Sequence, residues 1–180
     1  LPLGFRAQCS FADVESSCGI AGFLHLGSRG VNRSTLERFA AALVHRGPDG
    51  EGFFEEGAIG LAHRRLAIID LSPTGAQPYL VEHIAVVFNG EIYNYRELRD
   101  DLRRAGRVFR TESDTEVILH AYAAGGADCP RRLNGIFAFA IWDVRQPQLV
   151  LAGDLFGVKP LYYMVEGGDF RLGLETKGGL

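Results

Sequence analysis

The chain has 180 residues, 47% of them apolar and 23% charged, with a formal net charge of -3. That length gives one domain with a substantial core, and the slight acidity gives no reason to expect nucleic acid or an anionic membrane as partner. No apolar run approaches membrane-spanning length, and the three cysteines, Cys9, Cys18 and Cys129, fit neither a disulfide framework nor a zinc spacing, so a reducing cytoplasm is the expected setting.

The first residue is Leu1 and the single methionine is Met164, so the chain reads as a fragment or a processed product. Residues 1–17 carry no periodicity and read as a lead-in. "CGIAGFLHL" (18–26) is a short, mostly apolar strand. A helix follows, with Ser34 as N-cap, Glu37 at the capping-box position, Leu36, Phe39, Ala40 and Leu43 on one face, and Gly47-Pro48 as its stop. "EGFFEEG" and "AIGLAHRRLAIIDL" read as two strands joined near Gly57, and "SPTGAQPY" (72–79) as loop. "HIAVVFNGEIYNY" reads as a strand, an Asn-Gly turn and a second short strand. Asn94 or Tyr95 then opens a helix with Leu98 and Leu102 inward and Gly106 at its end. Its cluster of Arg99, Arg103, Arg104 and Arg107, interleaved with acids, looks like a solvated face. Ser113 caps a third helix, with Glu116 at the capping-box position, Val117, Ile118, Ala121 and Tyr122 as its stripe, and Gly125-Gly126 at its close. "GIFAFAIWDV", "QLVLAGDL", "PLYYMVEG" and "DFRLGLE" end the chain as strands in hairpins turning near Gln146-Pro147 and Gly167-Gly168. Antiparallel hairpins with mid-chain helices make an α+β fold, two sheets sandwiched between helices.

A few residues stand out chemically, each with a plain alternative. Cys18 at a strand start is most simply a buried small hydrophobe. It becomes a nucleophile if the chain begins there, because an α-amine of pKa about 7.7–8.0 can take the thiol proton. Asn89-Gly90 is a hairpin signal, yet the amide side chain and the Gly90 N–H would also serve as an oxyanion hole. Arg64 and Arg65 are neighbours on a strand, so one points outward and the other needs an acid or an anionic ligand. Asp114 at a helix start is accounted for by the helix dipole, and it or Glu91 would equally bind a ligand ammonium. An Arg, an Asp and a Glu around a cysteine are what an α-amino-acid substrate needs.

In order along the chain, "CGIAGF", "LVHRGPDGEGFF", "LAHRRLAIIDLSPTGAQPY", "VVFNGEIYNYRELRDDL", "FRTESDTEVILHAY", "LNGIFAFAIWD" and "FGVKPLYY" resemble the glutaminase domain of glutamine-dependent asparagine synthetases, a class II glutamine amidotransferase. The resemblance runs from Cys18 to about Lys177. It implies a four-layer αββα sandwich of N-terminal-nucleophile hydrolase type, with 1–17 a lead-in or propeptide-like extension and 18–180 the amidotransferase domain. By similarity, Cys18 attacks the amide of L-glutamine to form a thioester, Asn89 and Gly90 hold the oxyanion, Arg65 binds the α-carboxylate, and Glu91 and Asp114 lie at the α-amino end. "HRGPD" (45–49) is assigned to helix termination and loop shape near the site. The resemblance further implies a synthetase domain, in cis or in trans, as the ammonia acceptor. ATP and Mg²⁺ belong to that domain, so no cofactor is expected in this chain, whose residues lack the S-G-G-x-D-S signature. Neither metal, nucleic acid nor membrane is expected as partner, and a homodimer stays open.

Two departures bear on activity. Ser17 precedes Cys18 where the family usually has an initiator Met, so an intact lead-in leaves Cys18 with an amide nitrogen and no base. Gly153 stands where an arginine usually precedes Asp154, which leaves a local ion pair of the family, and docking to the synthetase domain, in question. Two other functions therefore stand beside glutamine hydrolysis: a non-catalytic glutamine-binding or interaction module with Cys18 blocked, and an acylase acting on another amide. The Arg65–Asp114 pair argues against the acylase, since it suits both ends of a free amino acid.

Overall fold

The computed structural model describes residues 17–27, 30–66 and 75–176. Residues 1–16 of the lead-in expected over 1–17, and the strand and loop residues 67–74, lie outside the described residues. In chain order the elements are β1 (Gly19–His25), α1 (Arg33–Ala42), β2 (Gly50–Glu56), β3 (Ile59–Arg65), β4 (Tyr79–Val81), β5 (Ile84–Ile92), α2 (Tyr95–Arg104), α3 (Asp114–Gly125), a 3₁₀ segment (Gly126–Arg132), β6 (Gly135–Asp143), β7 (Gln148–Gly153), β8 (Tyr162–Glu166) and β9 (Asp169–Gly173). They form a five-stranded sheet, β2-β3-β1-β9-β8, and a four-stranded sheet, β4-β5-β6-β7. Every strand pair is antiparallel.

Strict alternation along the strands builds three apolar layers. Ile20, Ile59, Leu61 and Leu172 of the first sheet meet Ala85, Val87, Ala138, Ala140 and Trp142 of the second. The intervening residues face outward to helices. Ala21, Phe23 and Ala62 pack on Leu36, Phe39, Ala40 and Leu43 of the α1 region. Val86, Phe88, Phe139 and Ile141 pack on Leu98, Leu102, Val117, Ile118 and Tyr122 of α2 and α3. Each of the Val, Leu, Ile and Phe side chains among them, fully buried, is worth roughly 1.5–3 kcal/mol over leaving it exposed. The order helix, sheet, sheet, helices is the expected αββα sandwich.

Several local expectations are corrected. Asn32, not Ser34, caps α1, its Oδ1 accepting the Ser34 N–H at 3.0 Å. Glu37 instead accepts from Arg33 Nε at 3.1 Å. Ser113 does cap α3, accepting the Thr115 N–H at 3.1 Å. Glu116, however, reaches back past it to the N–H groups of Arg110 and Thr111, at 2.8 and 2.7 Å. Gly106 closes α2 as expected, in a Schellman arrangement: Arg107 N donates to Leu102 O and Gly106 N to Arg103 O, with Gly106 φ at +88°. Arg99 is not on a solvated face: it is 3% exposed, stacked near Tyr95 and Phe109, and paired with Glu112. The main correction concerns Asn89-Gly90. There is no turn, because β5 runs straight through, with Asn89 opposite Ala138 and Gly90 opposite Phe137.

Candidate active site

Alternation places the singled-out side chains. Ile59 and Leu61 of β3 face the layer between the sheets, so His63 and Arg65, two and four residues on, share that face. Cys18 lies two residues before Ile20 on the same pattern. On β5, Ala85 and Val87 face that layer, and Asn89 and Glu91 continue the row toward the exposed strand end. Arg64 takes the opposite face of β3, where Nη1 pairs with Glu51 at 2.6 Å and Nε donates to Gly47 O at 3.1 Å. A local acid thus pairs Arg64, while Arg65 takes the inner face.

The backbone of β5 explains why Asn-Gly sits in a strand. Phe137, opposite Gly90, turns its own polar groups toward β7: its N–H donates to Asp154 Oδ2 at 3.3 Å and its carbonyl accepts from Asp154 N at 2.8 Å. In an antiparallel ladder the partner of such a residue also turns its polar groups away. The N–H groups of Phe88, Gly90 and Ile92 therefore all face the other edge of β5. Gln77 Oε1 takes the Phe88 N–H at 2.6 Å, and Asp114 Oδ2 takes the Ile92 N–H at 3.1 Å. The Gly90 N–H lies between these two claimed donors. Beside it, Asn89 is 3% exposed and its Nδ2 has no hydrogen-bond partner. A side-chain donor and a backbone donor, one residue apart and rigidly held, suit a developing oxyanion. Gly90 has φ of +142°, and a Cβ there would lie 2.1 Å from the Ile136 carbonyl oxygen, so no other residue fits.

Asp114 opens α3 and ties it to β5 through Ile92. Burial pushes its carboxyl up, the N–H groups of Ile92 and Thr115 pull it partly back, and Glu91 adds to the rise. Glu91 and Asp114 thus share one end of the strand. The Cys18 Sγ sits at the end of β3, 3.4 Å from the Leu66 N–H and 3.9 Å from the Leu66 carbonyl oxygen, next in chain to Arg65. His63 is 1% exposed on the inner face of β3, and burial pushes its imidazole down to about 3.

Two residues linked to the surroundings of Cys18, Glu175 and Lys159, were not singled out from sequence. Ser17 is buried, its hydroxyl 2.6 Å from Arg46 Nη2, and Arg46 Nη1 is 2.7 Å from Glu175. Burial raises the Glu175 carboxyl, but its bonds to Arg46 and His45 outweigh this and hold it below its ordinary value. "HRGPD" therefore does more than end a helix: Arg46 anchors Ser17, the residue before Cys18. Gly47 allows this, since a Cβ there would come within 2.4 Å of the Arg64 backbone. Lys159 feels the charges of both Arg46 and Cys18; burial first, then Arg46, push its ammonium down. It ends a loop pinned by Asp154, whose carboxylate accepts the N–H groups of Phe156, Val158 and Lys159 at 3.1, 3.0 and 2.9 Å. Among the described residues no group of three His, Cys, Asp or Glu side chains is arranged to hold a metal. A cleft of about 420 Å³ lies at the far end of the four-stranded sheet, lined by Tyr122, Asp143 and Gln148, away from Cys18.

The family described as "Glutamine amidotransferase domain" matches residues 17–179. Among curated proteins the chain is 41% identical over 165 residues to asparagine synthetase [glutamine-hydrolyzing] 3 of Bacillus subtilis, covering 89% of this chain and 27% of that protein. It is 39% identical over 181 residues to putative asparagine synthetase [glutamine-hydrolyzing] 2 of Methanocaldococcus jannaschii, covering 89% and 34%. The chain thus spans between a quarter and a third of the length of these relatives. Among solved structures, glutamine phosphoribosylpyrophosphate amidotransferase from B. subtilis superposes with a TM-score of 0.73 at 22% identity, over 88% of this chain and 42% of that one, a likeness of fold. With its sandwich, its inner-face cysteine and a family match over nearly its whole length, the chain belongs to the glutamine amidotransferase domain family.

Proposed function

We propose that this domain, once its N-terminus is Cys18, hydrolyses L-glutamine to glutamate and ammonia. The observation that carries the reading is a pair of donors at one end of β5: Asn89 Nδ2, without a partner among the described residues, and the Gly90 N–H, between two N–H groups that side chains cap. The α-amine of Cys18 takes the thiol proton and Sγ attacks the amide carbon of glutamine. The carbonyl oxygen becomes an oxyanion received by Asn89 Nδ2 and the Gly90 N–H. Collapse breaks the C–N bond, the amine returns the proton to nitrogen, and ammonia leaves a glutamyl thioester. Water, deprotonated by the same amine, attacks the thioester and frees glutamate and the thiol. Arg65 binds the α-carboxylate, and Asp114 with Glu91 the α-ammonium. The ammonia passes to a synthetase domain, in cis or in trans, that uses ATP and Mg²⁺ to activate a carboxylate. The names of the relatives make asparagine formation the first reaction to assay in the complete enzyme.

A chain starting at Cys18 should release glutamate and ammonia in equal amounts, and Cys18→Ala should abolish release. Glutamine bound by that chain without turnover would overturn the proposal. One observation favours a second reading, a glutamine-binding module: Ser17 is buried and held by Arg46, as a retained lead-in requires.

A further inference from the structure

The cleft of about 420 Å³ at the far end of the four-stranded sheet has no part in the chemistry above. Three places that the fold brings together supply its walls: the two-residue turn Glu82-His83 between β4 and β5, the turn between β6 and β7, and the C-terminal end of α3. Val144 N donates to His83 O at 2.9 Å and ties the two turns. Asp143 Oδ1 accepts the N–H groups of Arg145 and Gln146 at 2.9 and 3.2 Å and shapes the second turn. Arg107 Nη2 donates to Ala123 O at 3.2 Å, which seats its guanidinium on the helix end. The cleft is thus built and held by the protein itself, and its volume is that of a small-molecule site.

Three features of its lining cost stability. Glu82 has φ of +54° and is the one non-glycine residue among the described residues with a positive φ. A two-residue turn takes glycine, asparagine or aspartate at such a position, so a glutamate there is strained. At the floor, Tyr122 and Asp143 are 4% and 5% exposed. The Tyr122 hydroxyl lies 3.4 Å from both Asp143 Oδ2 and Gln148 Oε1, longer than a good O–H···O bond, and its one proton cannot serve both. His83 stands between the two acids: Nδ1 is 3.6 Å from Glu82 Oε2 and Nε2 is 3.6 Å from Asp143 Oδ1. That Nδ1 is buried and has no hydrogen-bond partner among the described residues. Buried polar groups are ordinarily paired, and a polar ligand in the cleft would pair these.

The charges select the ligand. Glu82 and Asp143 stand against Arg107 and Arg145, two carboxylates against two guanidiniums, so the lining favours neither a bare anion nor a bare cation. A molecule with one charge of each sign fits: a free α-amino acid, its carboxylate on the arginines and its ammonium on Glu82. The floor offers acceptor oxygens on Asp143 and Gln148, and the NH₂ of a carboxamide side chain donates to both. A side-chain carboxylate would instead face Asp143 as a like charge, and a side-chain ammonium would upset the balance of charge. We propose that this cleft is a second, non-catalytic site that binds a free α-amino acid with a side-chain carboxamide. It lies away from Cys18, and its occupancy does not depend on turnover.

The test is an amide-resolved NMR titration of the 180-residue chain carrying Cys18→Ala, so that no probe is consumed. The amides of Ile84, Gly126 and Ala127 report the cleft, and those of Gly90 and Ile92 report the catalytic site. L-asparagine or L-glutamine should saturate the cleft amides with Kd of about 10 mM or tighter. L-lysine and L-glutamate should each bind there about tenfold more weakly or worse. Glu82→Gly, which suits the positive φ, and Arg145→Ala, on an exposed turn, should keep the fold. Each should weaken binding at the cleft about fivefold or more, with any response of Gly90 and Ile92 unchanged. Failure of both amides to saturate the cleft at about 10 mM overturns the site. So does a change smaller than about fivefold in either variant. Lysine or glutamate binding within about tenfold of the tighter amide overturns the assignment of the ligand. The response of Gly90 and Ile92 bears on the catalytic site alone, so the glutaminase reading and this one can fail separately.

Discussion

Burying the Asp114 carboxyl at the head of α3 raises its pKa above that of the unfolded chain, about 3.9. As pH rises, the unfolded state therefore ionises first, so stability falls through the interval between the two values. Asp114→Asn, whose Oδ1 can still accept the Ile92 N–H, should be more stable than wild type at pH 7, and the difference should vanish in acid melts. The same variant should raise KM for glutamine roughly tenfold or more, the scale of a charge-assisted hydrogen bond, and wild-type KM should climb as acid protonates the carboxyl. A residue that costs stability and improves binding is a mark of a site. Asn89 is the complementary case, a buried amide whose Nδ2 is unpaired. Asn89→Ala should lower kcat by about 10²–10³-fold with little change in KM.

At the scale of elements, Gly90 and Asp154 carry the strongest local constraints. Gly90→Ala must clear a backbone oxygen 2.1 Å away, and should shift β5 against β6, lowering Tm and activity together in calorimetry and a coupled assay. Asp154→Asn replaces an acceptor of four N–H groups by a group that is half donor, which should cost about 1–3 kcal/mol at pH 7. Burial opposes ionisation here, but those N–H bonds prevail and the folded pKa is lowered. Its stability is thus present above the unfolded pKa and lost as pH falls through the folded one, so the two proteins should converge in acid. These two residues also show what sequence can and cannot reveal. Alternation and punctuation located eight of the nine strands and all three α-helices, because apolar period and glycine stops are local. Asn-Gly misled because its glycine answers a tertiary need, the approach of Ile136, and a hairpin glycine looks the same in sequence. β4 is not legible in sequence: the loop composition of 72–79 takes in Tyr79, and a three-residue strand carries too little pattern. Arg99 hides in the core because Glu112 and two rings, not its neighbours, decide its burial. Glu37 and Glu116 sit at capping-box spacing, yet each found a better partner in space.

For the molecule as a whole, the family was legible because the motifs keep their order, while the links between them were not. Arg46–Ser17 and Arg46–Glu175 each join residues far apart in sequence, and only the fold brings them together. The loop pinned by Asp154 presents Leu155 and Phe156 at 92% and 88% exposure, and three residues after Phe156 comes Lys159, which the Cys18 charge reaches. The account's central claim concerns the other end of that thiol's residue: Cys18 acts through its own α-amine. The most direct measurement compares two purified chains, one retaining Ser17 and one beginning at Cys18, with N-termini established by intact mass and glutamate release measured on each. The account predicts turnover only in the chain that begins at Cys18, with loss on Cys18→Ala. Full turnover by a chain whose mass shows Ser17 still attached would contradict it.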